Sequence, residues 1–389
     1  MLHIFTKQKK IIFLCFGMVC LFTLLSFLPS VLSNHYVPEK KLTSLPIQVG
    51  TTTDEIVFIP SYISTPDIVK GVYITSWTAS DETLRNKIVN LIDETELNTI
   101  VIDIKDYSGK LVFPVSSKEL LSYGSEAIRV KDMQDFVELL HNKGIYVIGR
   151  VAVFQDEYFV KFRPDLAVKN KSGDLVWKDR KGISWIDPGS REYWDYIVLL
   201  SKESRKIGFD EINFDYIRFP SDGNMQDISY PWSSTTPKTK VMKEFFEYLH
   251  ESLLDSGLAT SADLFGMTTT AKDDMGIGQL LEDALPYFDY ISPMVYPSHY
   301  PSTFMNFKDP EAHPYEVIRY VMESAVIRAE QASTTREKLR PWLQDFGLRM
   351  TYGLEEVRAQ IKATNDAGLS SWLLWSASNK YTRGALNKD

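Results

Sequence analysis

Short apolar runs of strand length recur along the chain from residue 70 onward, and a polar turn and then a helical pattern follow most of them. There are eight such runs, and we interpret each as a β-strand. They cover residues 71–77, 99–106, 144–154, 211–219, 260–266, 290–297, 340–346 and 371–378. Residues 131–144 place apolar side chains at 133, 136, 137, 139 and 140, which is typical of an amphipathic helix that ends at Gly144.

Eight strands with helices between most of them predict an α/β fold of the (β/α)₈ TIM-barrel type over residues 70–389. A doubly wound open sheet is the alternative, and it is disfavoured because no glycine-rich phosphate loop follows the first strand. Long loops follow the third, fourth and sixth strands. In a barrel all of these loops lie at the C-terminal face, where an active site forms.

A separate apolar run, Ile11–Leu28, lies behind three lysines near the N-terminus. The run is about long enough to span a bilayer. We expect residues 1–33 to be either an uncleaved membrane anchor or a signal peptide cleaved after Ser33. In both cases the lysines stay inside, and the remainder is exported as a single-pass membrane protein or as a secreted one. Residues 34–69 contain four prolines and a Thr-rich stretch, which predicts a stalk or irregular lead-in.

Composition excludes several kinds of partner and chemistry. The net charge of −8 argues against a nucleic-acid partner. Both cysteines, Cys15 and Cys20, lie in the N-terminal apolar run, so the exported part has no disulfide, thiolate nucleophile or cysteine ligand. The six histidines make no ligand-spaced pair, and we expect neither a metal nor another cofactor. No G-x-S-x-G elbow supports a Ser-His-Asp triad. Aromatic residues make up 13% of the chain, which suits a core and also suits platforms for sugar rings.

The fourth strand, "EINFDYIRFP" at residues 211–220, carries a carboxylate inside a run that otherwise has the pattern of a buried sheet. Because side chains alternate along a strand, Asn213 and Asp215 would point towards the barrel axis. The opposite side would pack on the helices: Ile212, Phe214 and Tyr216. Asp215 lies near the C-terminal end of the strand, where barrel enzymes place catalytic groups. A structural salt bridge to Arg218 or Arg150 is the alternative role.

Acids, amides, cations and aromatic rings lie at the ends of most other strands. In the second strand, Asp103 and Lys105 would share the inner face, and Lys105 could simply neutralise an acid. The candidate substrate-binding residues are Trp77, Asp103, Lys105, Arg150, Tyr216, Arg218, Tyr296, His299, Gln344, Asp345 and Trp375. Asp263 is the carboxylate of the fifth strand. Asp215 and Asp263 form the pair of carboxyl groups that glycoside hydrolysis requires, and their separation would decide between direct nucleophilic attack and attack by water.

Stretches along nearly the whole exported part resemble a known family. The chain from Gly71 to about Leu386 is similar to the glycoside hydrolase-like domain of bacterial exported proteins, catalogued as domain of unknown function 4015. The matching stretches are "KGVYITSW", "VIDIKDYSG", "GRVAVFQD", "WIDPGSREYWDY", "GFDEINFDYIRFP", "SADLFG", "ISPMVYPSHY", "RPWLQDF" and "SWLLWSASNKY". The resemblance implies a glycosidase barrel whose substrate is a polysaccharide or oligosaccharide.

The fourth strand also resembles the D-G-x-D-x-D-x-E motif of family 18 chitinases. Asp210, Asn213 and Asp215 fall on the three aspartate positions, and Ile217 falls on the catalytic glutamate. With isoleucine at that position, substrate-assisted chitinase chemistry is not supported. The amylase clan is another distant likeness, with its nucleophile on the fourth strand and its acid on the fifth. Asp215 and Asp263 would fit that scheme, although the clan's acid is a glutamate and Asn213 stands in place of its arginine.

Two functions of different class follow. In the first, the protein is an exported, membrane-tethered glycoside hydrolase acting on a cell-wall or extracellular polysaccharide, with Asp215 as nucleophile or base and Asp263 as general acid. In the second, the barrel is catalytically inactive and binds a glycan or a protein at the cell envelope, as the isoleucine at position 217 suggests. Two carboxyl groups facing one open cleft would favour the first function.

Overall fold

A computed structural model describes residues 59–387 of the chain. Eight parallel strands pair in sequence order and close into a barrel, because the last strand pairs with the first. The strands are β1 (Lys70–Ile74), β2 (Thr99–Lys105), β3 (Tyr146–Ala152), β4 (Glu211–Asp215), β5 (Ala259–Phe265), β6 (Tyr290–Met294), β7 (Trp342–Gln344) and β8 (Trp372–Trp375). Each lies within a predicted run or overlaps it, so the predicted (β/α)₈ barrel is confirmed.

Helices pack around the outside of the barrel. They are α1 (Ser76–Ser80), α2 (Glu82–Asp93), α3 (Lys118–Ser122), α4 (Met133–Asn142), α5 (Glu157–Phe162), α6 (Arg191–Lys206), α7 (Lys238–Leu253), α8 (Leu281–Ala284), α9 (Pro314–Gln331) and α10 (Leu354–Asp366). Helix α4 shows why the periodic pattern predicts these elements. It buries Met133, Phe136, Val137 and Leu140 against the sheet. It ends two residues before Gly144, whose φ of 73° is a left-handed conformation that glycine adopts easily.

The inside of the barrel is partly polar. At its N-terminal end, Arg340 and Glu211 form an ion pair, and both side chains are fully buried. The hydroxyl of Tyr146 donates a hydrogen bond to Glu211 Oε2 over 3.0 Å. Above this layer, Tyr73 and Trp342 are among the buried apolar side chains that fill the interior. The candidate site therefore rests on a packed interior rather than on an open channel.

The segment before β1 contacts the outside and the N-terminal end of the barrel. The backbone N–H of Ile63 donates to Asp210 Oδ1 over 2.8 Å, and Thr65 Oγ1 lies 2.9 Å from the hydroxyl of Tyr146. The predicted anchor or signal segment and the stalk up to residue 58 lie outside the described residues. Within residues 59–387, no helix combines the length and the apolar character needed to cross a membrane.

Candidate active site

A cavity of about 310 Å³ opens at the C-terminal ends of the strands. Its walls come from the ends of β3, β4, β5, β6 and β8 and from the loops that follow them. The lining residues are Arg150, Lys181, Asp215, Tyr216, Arg218, Asp263, Phe265, Met294, Tyr296, His299 and Trp375. Eight of these eleven residues were candidates from the sequence, and most of them lie at or just after strand ends.

Asp215 and Asp263 share this cavity, and one guanidinium lies between them. Arg150 Nη2 forms a buried ion pair with Asp215 Oδ2, and Arg150 Nε lies 3.9 Å from Asp263 Oδ2. The strands explain the arrangement: Asn213 pairs with Arg150 on β3 and with Ser261 on β5, so the ends of β3, β4 and β5 are adjacent. Asp215 is thus both a cavity residue and the salt-bridge partner of Arg150.

Asp263 has an environment that favours its protonated form. Its Oδ1 accepts hydrogen bonds from Asn213 Nδ2 over 2.8 Å and from Trp342 Nε1 over 2.7 Å. Burial, and next the negative charge of Asp215, raise the pKa of Asp263 well above its ordinary value, although Arg150 opposes the shift. With Oδ1 occupied by two N–H donors, the proton belongs on Oδ2. Asp263 is therefore suited to donate a proton.

Beneath the cavity, Asp103 holds Arg150 in place. Arg150 Nη1 lies 2.5 Å from Asp103 Oδ1, and the hydroxyl of Tyr73 donates to Asp103 Oδ2 over 2.5 Å. Burial raises the pKa of Asp103, and Arg150 lowers it less strongly. The ring of Tyr73 also stacks on Trp375, with centroids 3.9 Å apart. Asp103 thus positions the arginine that binds Asp215, and it does not itself line the cavity.

Tyr216 and Arg218 form one wall. Tyr216 directly follows β4 and has a φ of 53°, a left-handed conformation that is uncommon for a side chain of this size. The expectation that Tyr216 packs on the helices is wrong, because this backbone turn ends the alternation and turns its ring into the cavity lining. Its N–H donates to Asp215 Oδ1 over 2.6 Å. The turn therefore fixes the orientation of the Asp215 carboxylate.

Tyr296 and His299 form the opposite wall with Trp375. The rings of Tyr296 and His299 meet edge to face, with centroids 5.3 Å apart. Ser298 Oγ lies 2.9 Å from His299 Nδ1. Burial, and then the positive charge of Arg349, lower the pKa of His299, so its ring is neutral near pH 7. Neutral aromatic surfaces of this kind suit the faces of sugar rings.

Lys105 does not line the cavity. A register shift between Asp103 and Lys105 interrupts the pairing of β2 with β3, so the two residues do not share the inner face as expected. Lys105 is fully buried, 2.8 Å from Asp156 Oδ2, and it donates to the carbonyl of Ala152 over 2.5 Å. It neutralises an acid, which was the alternative role for this lysine.

Three further candidates also lie outside the cavity lining. Gln344 is buried and bonds to backbone groups, accepting from Ser298 N over 3.1 Å and donating to the carbonyl of Phe346 over 2.8 Å. Asp345 accepts two hydrogen bonds from Thr382. Trp77 is 65% exposed on α1 and packs against a guanidinium rather than in the cavity. The first two hold loops together, and Trp77 is available at the surface.

Sequence reasoning missed Lys181, Phe265 and Met294 in the cavity lining. Phe265 and Met294 end β5 and β6, where the strand-end rule could have found them. Lys181 lies in the long loop after β3, and nothing in the local pattern indicates where that loop folds. Ile217, at the position of the chitinase glutamate, is fully buried, and its carbonyl accepts from Gln279 Nε2 over 3.1 Å.

The sequence itself identifies the family. A family model for domain of unknown function 4015, described as "Putative glycosyl hydrolase domain", matches residues 71–381. The chain belongs to this family. The resemblance noted from the nine sequence stretches is thereby confirmed. No curated protein matches the chain.

Solved structures share the barrel. The glycoside hydrolase domain of PgaB (BpsB) from Bordetella bronchiseptica is 12% identical, with a TM-score of 0.58 over 82% of this chain and 99% of that one. Alpha-L-fucosidase isoenzyme 2 from Paenibacillus thiaminolyticus is 10% identical, with a TM-score of 0.53 over 82% of this chain and 48% of that one. A hypothetical protein from Ruminiclostridium thermocellum is 32% identical, with a TM-score of 0.45 over 49% of this chain and 96% of that one. The first two likenesses establish the fold alone.

Proposed function

We propose that the barrel hydrolyses glycosidic bonds, with Asp263 as the general acid and Asp215 as the nucleophile or base. The observation that carries the proposal is that two carboxyl groups of opposite environment line one cavity. Asp215 is ion-paired with Arg150, whereas burial raises the pKa of Asp263. Glycoside hydrolysis by two carboxyl groups requires one of them to donate a proton while the other acts as nucleophile or base, so the two need different environments. The family description supports a glycosidase.

The chemistry follows from these roles. As the bond between the sugar carbon and the glycosidic oxygen breaks, that oxygen takes the proton from Asp263 Oδ2. The carbon receives an electron pair either from the Asp215 carboxylate or from a water that Asp215 deprotonates. Arg150 keeps the Asp215 carboxylate oriented through the reaction, and Tyr296 and Trp375 offer ring surfaces to the sugar.

The substitution Asp215→Asn tests the proposal, because it keeps shape and removes charge. We expect hydrolysis of a responsive glycan to fall at least about 10²–10⁴-fold, as for loss of a positioned acid or base. Arg150 keeps Asp103 as a partner, so the loss of stability should be less than the roughly 3–5 kcal/mol of a broken buried pair. A glycan panel with reducing-end detection and a thermal melt measure the two effects. A destabilised variant with unchanged specific activity would remove Asp215 from the catalytic pair.

The alternative function is a glycan-binding barrel without catalysis. One observation favours it: Arg150 binds Asp215 and lies within 3.9 Å of Asp263, so both acids have a cation beside them. In that case the glycan panel would show binding and no new reducing ends. Asp215→Asn would then change affinity only, with no activity to lose.

We also propose that the protein acts outside the cytoplasm, tethered to the membrane or secreted, on a cell-wall or extracellular polysaccharide. The apolar run Ile11–Leu28 behind Lys7, Lys9 and Lys10 supports this location. The full chain should fractionate with membranes, or with the medium if cleaved, and protease added outside should reach the barrel. Recovery of the intact chain from the soluble cytoplasmic fraction would contradict the proposal.

A further inference from the structure

Among the described residues, three cations line the cavity, and only Arg150 has a carboxylate within 4.0 Å. Arg150 is paired with Asp103 and Asp215. Arg218 and Lys181 also line the cavity, yet neither lies within 4.0 Å of a carboxylate anywhere in residues 59–387. The cavity therefore carries positive charge that its own acids do not neutralise.

Arg218 is held in a defined orientation by uncharged groups. Its Nη1 donates to the carbonyl of Phe219 over 3.0 Å and to Ser221 Oγ over 3.1 Å. Its guanidinium lies 5.1 Å from the ring centroid of Trp185 and 5.5 Å from that of Tyr216. Nε and Nη2 make no hydrogen bond to any group in the described part of the chain. Two nitrogens of a preorganised, permanently charged fork, with three N–H donors, thus have no hydrogen-bond partner among the described residues.

Hydrogen bonds to Asp179 hold the turn that carries Lys181, and Asp179 also binds the Trp185 ring beside Arg218. Asp179 Oδ1 accepts from the backbone N–H groups of Lys181 and Ile183, over 2.9 Å and 3.0 Å. Asp179 Oδ2 accepts from Gln155 Nε2 over 2.9 Å and from Trp185 Nε1 over 3.0 Å. Trp185 is also the ring over which Arg218 lies. A single buried carboxylate therefore fixes both the turn that carries Lys181 and the ring that supports Arg218.

The charge of the whole protein does not explain these cations. The chain carries a net charge of −8, so its overall field repels anions. Burial lowers the pKa of Arg218, and the nearby charges of Asp215, Asp222 and Asp179 oppose this shift only in part. A half-buried arginine without an acid costs stability unless a ligand supplies the negative charge.

We propose that the cavity binds a saccharide bearing a carboxylate or a phosphate, and that this anionic group lies between Arg218 and Lys181. The inference rests on the proposed glycosidase function, and it specifies the class of substrate. The planar fork of Arg218 matches the two oxygens of a carboxylate or phosphate, and Lys181 adds a mobile point charge. Asp215 and Asp263 line the same cavity, so the acidic sugar or its neighbour would lie at the scissile bond.

The test compares ligands that differ only in charge. Oligosaccharides of galacturonate and of glucuronate are titrated into the full chain in detergent, beside their carboxyl-reduced neutral counterparts and a phosphorylated oligosaccharide. We expect an acidic ligand to bind more tightly than its neutral counterpart, and its affinity to fall as ionic strength rises. Comparison of the uronate oligosaccharides with the phosphorylated one shows which of the two anionic groups the cavity binds.

Two substitutions and one matched control show which cations cause the preference for acidic over neutral ligands. Arg218→Gln should weaken binding of the acidic ligand about 10- to 100-fold, the usual range for charge-assisted hydrogen bonds, and change the neutral ligand less than about twofold. Lys181→Gln should act in the same direction by about 2- to 5-fold. Arg180→Gln removes a neighbouring exposed cation outside the cavity lining and should change neither ligand. Because Lys181 is exposed, its variant keeps the fold even if Arg218→Gln does not.

The outcomes separate this inference from the proposed function. Binding of an acidic saccharide that depends on Arg218 or Lys181, with no hydrolysis, supports the anionic site and contradicts the glycosidase. Hydrolysis of neutral glycans that depends on Asp215 but not on these two cations supports the glycosidase and overturns the anionic site. Equal loss of acidic and neutral ligands in Arg218→Gln also overturns it, as does failure of every acidic saccharide to bind.

Discussion

Asp215 and Asp263 are the same residue type at the ends of neighbouring strands, and their surroundings make them chemically different. Asp215 accepts from the guanidinium of Arg150 and from the N–H of Tyr216. Asp263 accepts from the neutral N–H donors of Asn213 and Trp342, and it is 1% exposed. A guanidinium contacts the first carboxyl group, whereas burial raises the pKa of the second.

The raised pKa of Asp263 predicts the alkaline side of the pH–activity profile. If Asp263 donates a proton, the active enzyme carries that proton, and activity should decline as pH rises through the raised pKa. Initial rates on a responsive glycan between mildly acidic and alkaline pH would measure this decline. The residual activity of Asp263→Asn should lack it, and an unchanged alkaline limb in that variant would exclude Asp263 as the acid.

The same shift has a consequence for stability. The folded protein binds the Asp263 proton more tightly than the unfolded chain does, since the folded pKa lies above its ordinary value of 3.8. Its contribution to stability is therefore present at low pH and is lost as pH rises from about 3.8 through the raised pKa. At pH 7 the neutral variant Asp263→Asn should unfold at an equal or higher denaturant concentration than the wild-type protein. If the variant were clearly less stable, the negative charge of Asp263, or a hydrogen bond that its Oδ2 accepts, would have to stabilise the fold.

At the scale of elements, side chains connect strands across the interior of the barrel, in addition to the backbone hydrogen bonds between neighbouring strands. Glu211 opens β4, and Arg340 precedes β7 by two residues. Their ion pair spans the N-terminal end of the barrel with both side chains fully buried. Arg340 Nε and Nη1 have no hydrogen-bond partner among residues 59–387. The arginine thus depends on Glu211 for its compensation.

Removing one member of this pair should therefore cost more than removing both. We expect Glu211→Gln to lower the free energy of unfolding by roughly 3–5 kcal/mol, because it strands a buried charge. The double variant Glu211→Leu with Arg340→Met should recover much of that loss. Urea unfolding of the single and double variants measures the difference.

A surface pair is the matched control. Arg191 and Glu244 lie 2.9 Å apart with exposed side chains, so Glu244→Gln should change stability by less than about 1 kcal/mol. If Glu211→Gln behaves like this control, the buried pair contributes no more than a surface one.

At the scale of the whole molecule, the barrel is held together without covalent cross-links. Both cysteines of the chain precede residue 21, and the described residues contain none. Closure of the sheet, the buried core and the polar layers inside the barrel supply the stability instead. The lead-in adds contacts at Ile63 and Thr65 on the N-terminal side, away from the cavity.

A reductant should therefore leave the stability of the barrel unchanged. For a chain that begins near residue 34, dithiothreitol should not shift the melting temperature. Calorimetric scans with and without the reductant provide the measurement. A shift of several degrees would contradict a fold that does not depend on thiols.

The barrel could be predicted from the sequence, because eight apolar runs separated by helical patterns leave few other ways to bury them. It could also be predicted that Asp215 and Asp263 lie near strand ends and share the barrel interior, since alternation is a local property of strands. Features that depend on breaks in that alternation and on long loops could be seen only in the folded protein. A register shift turned Lys105 to Asp156, and the left-handed turn at Tyr216 brought its ring into the cavity. The partners of Arg150 and the position of Lys181 arise from residues distant along the chain, so no local pattern encodes them.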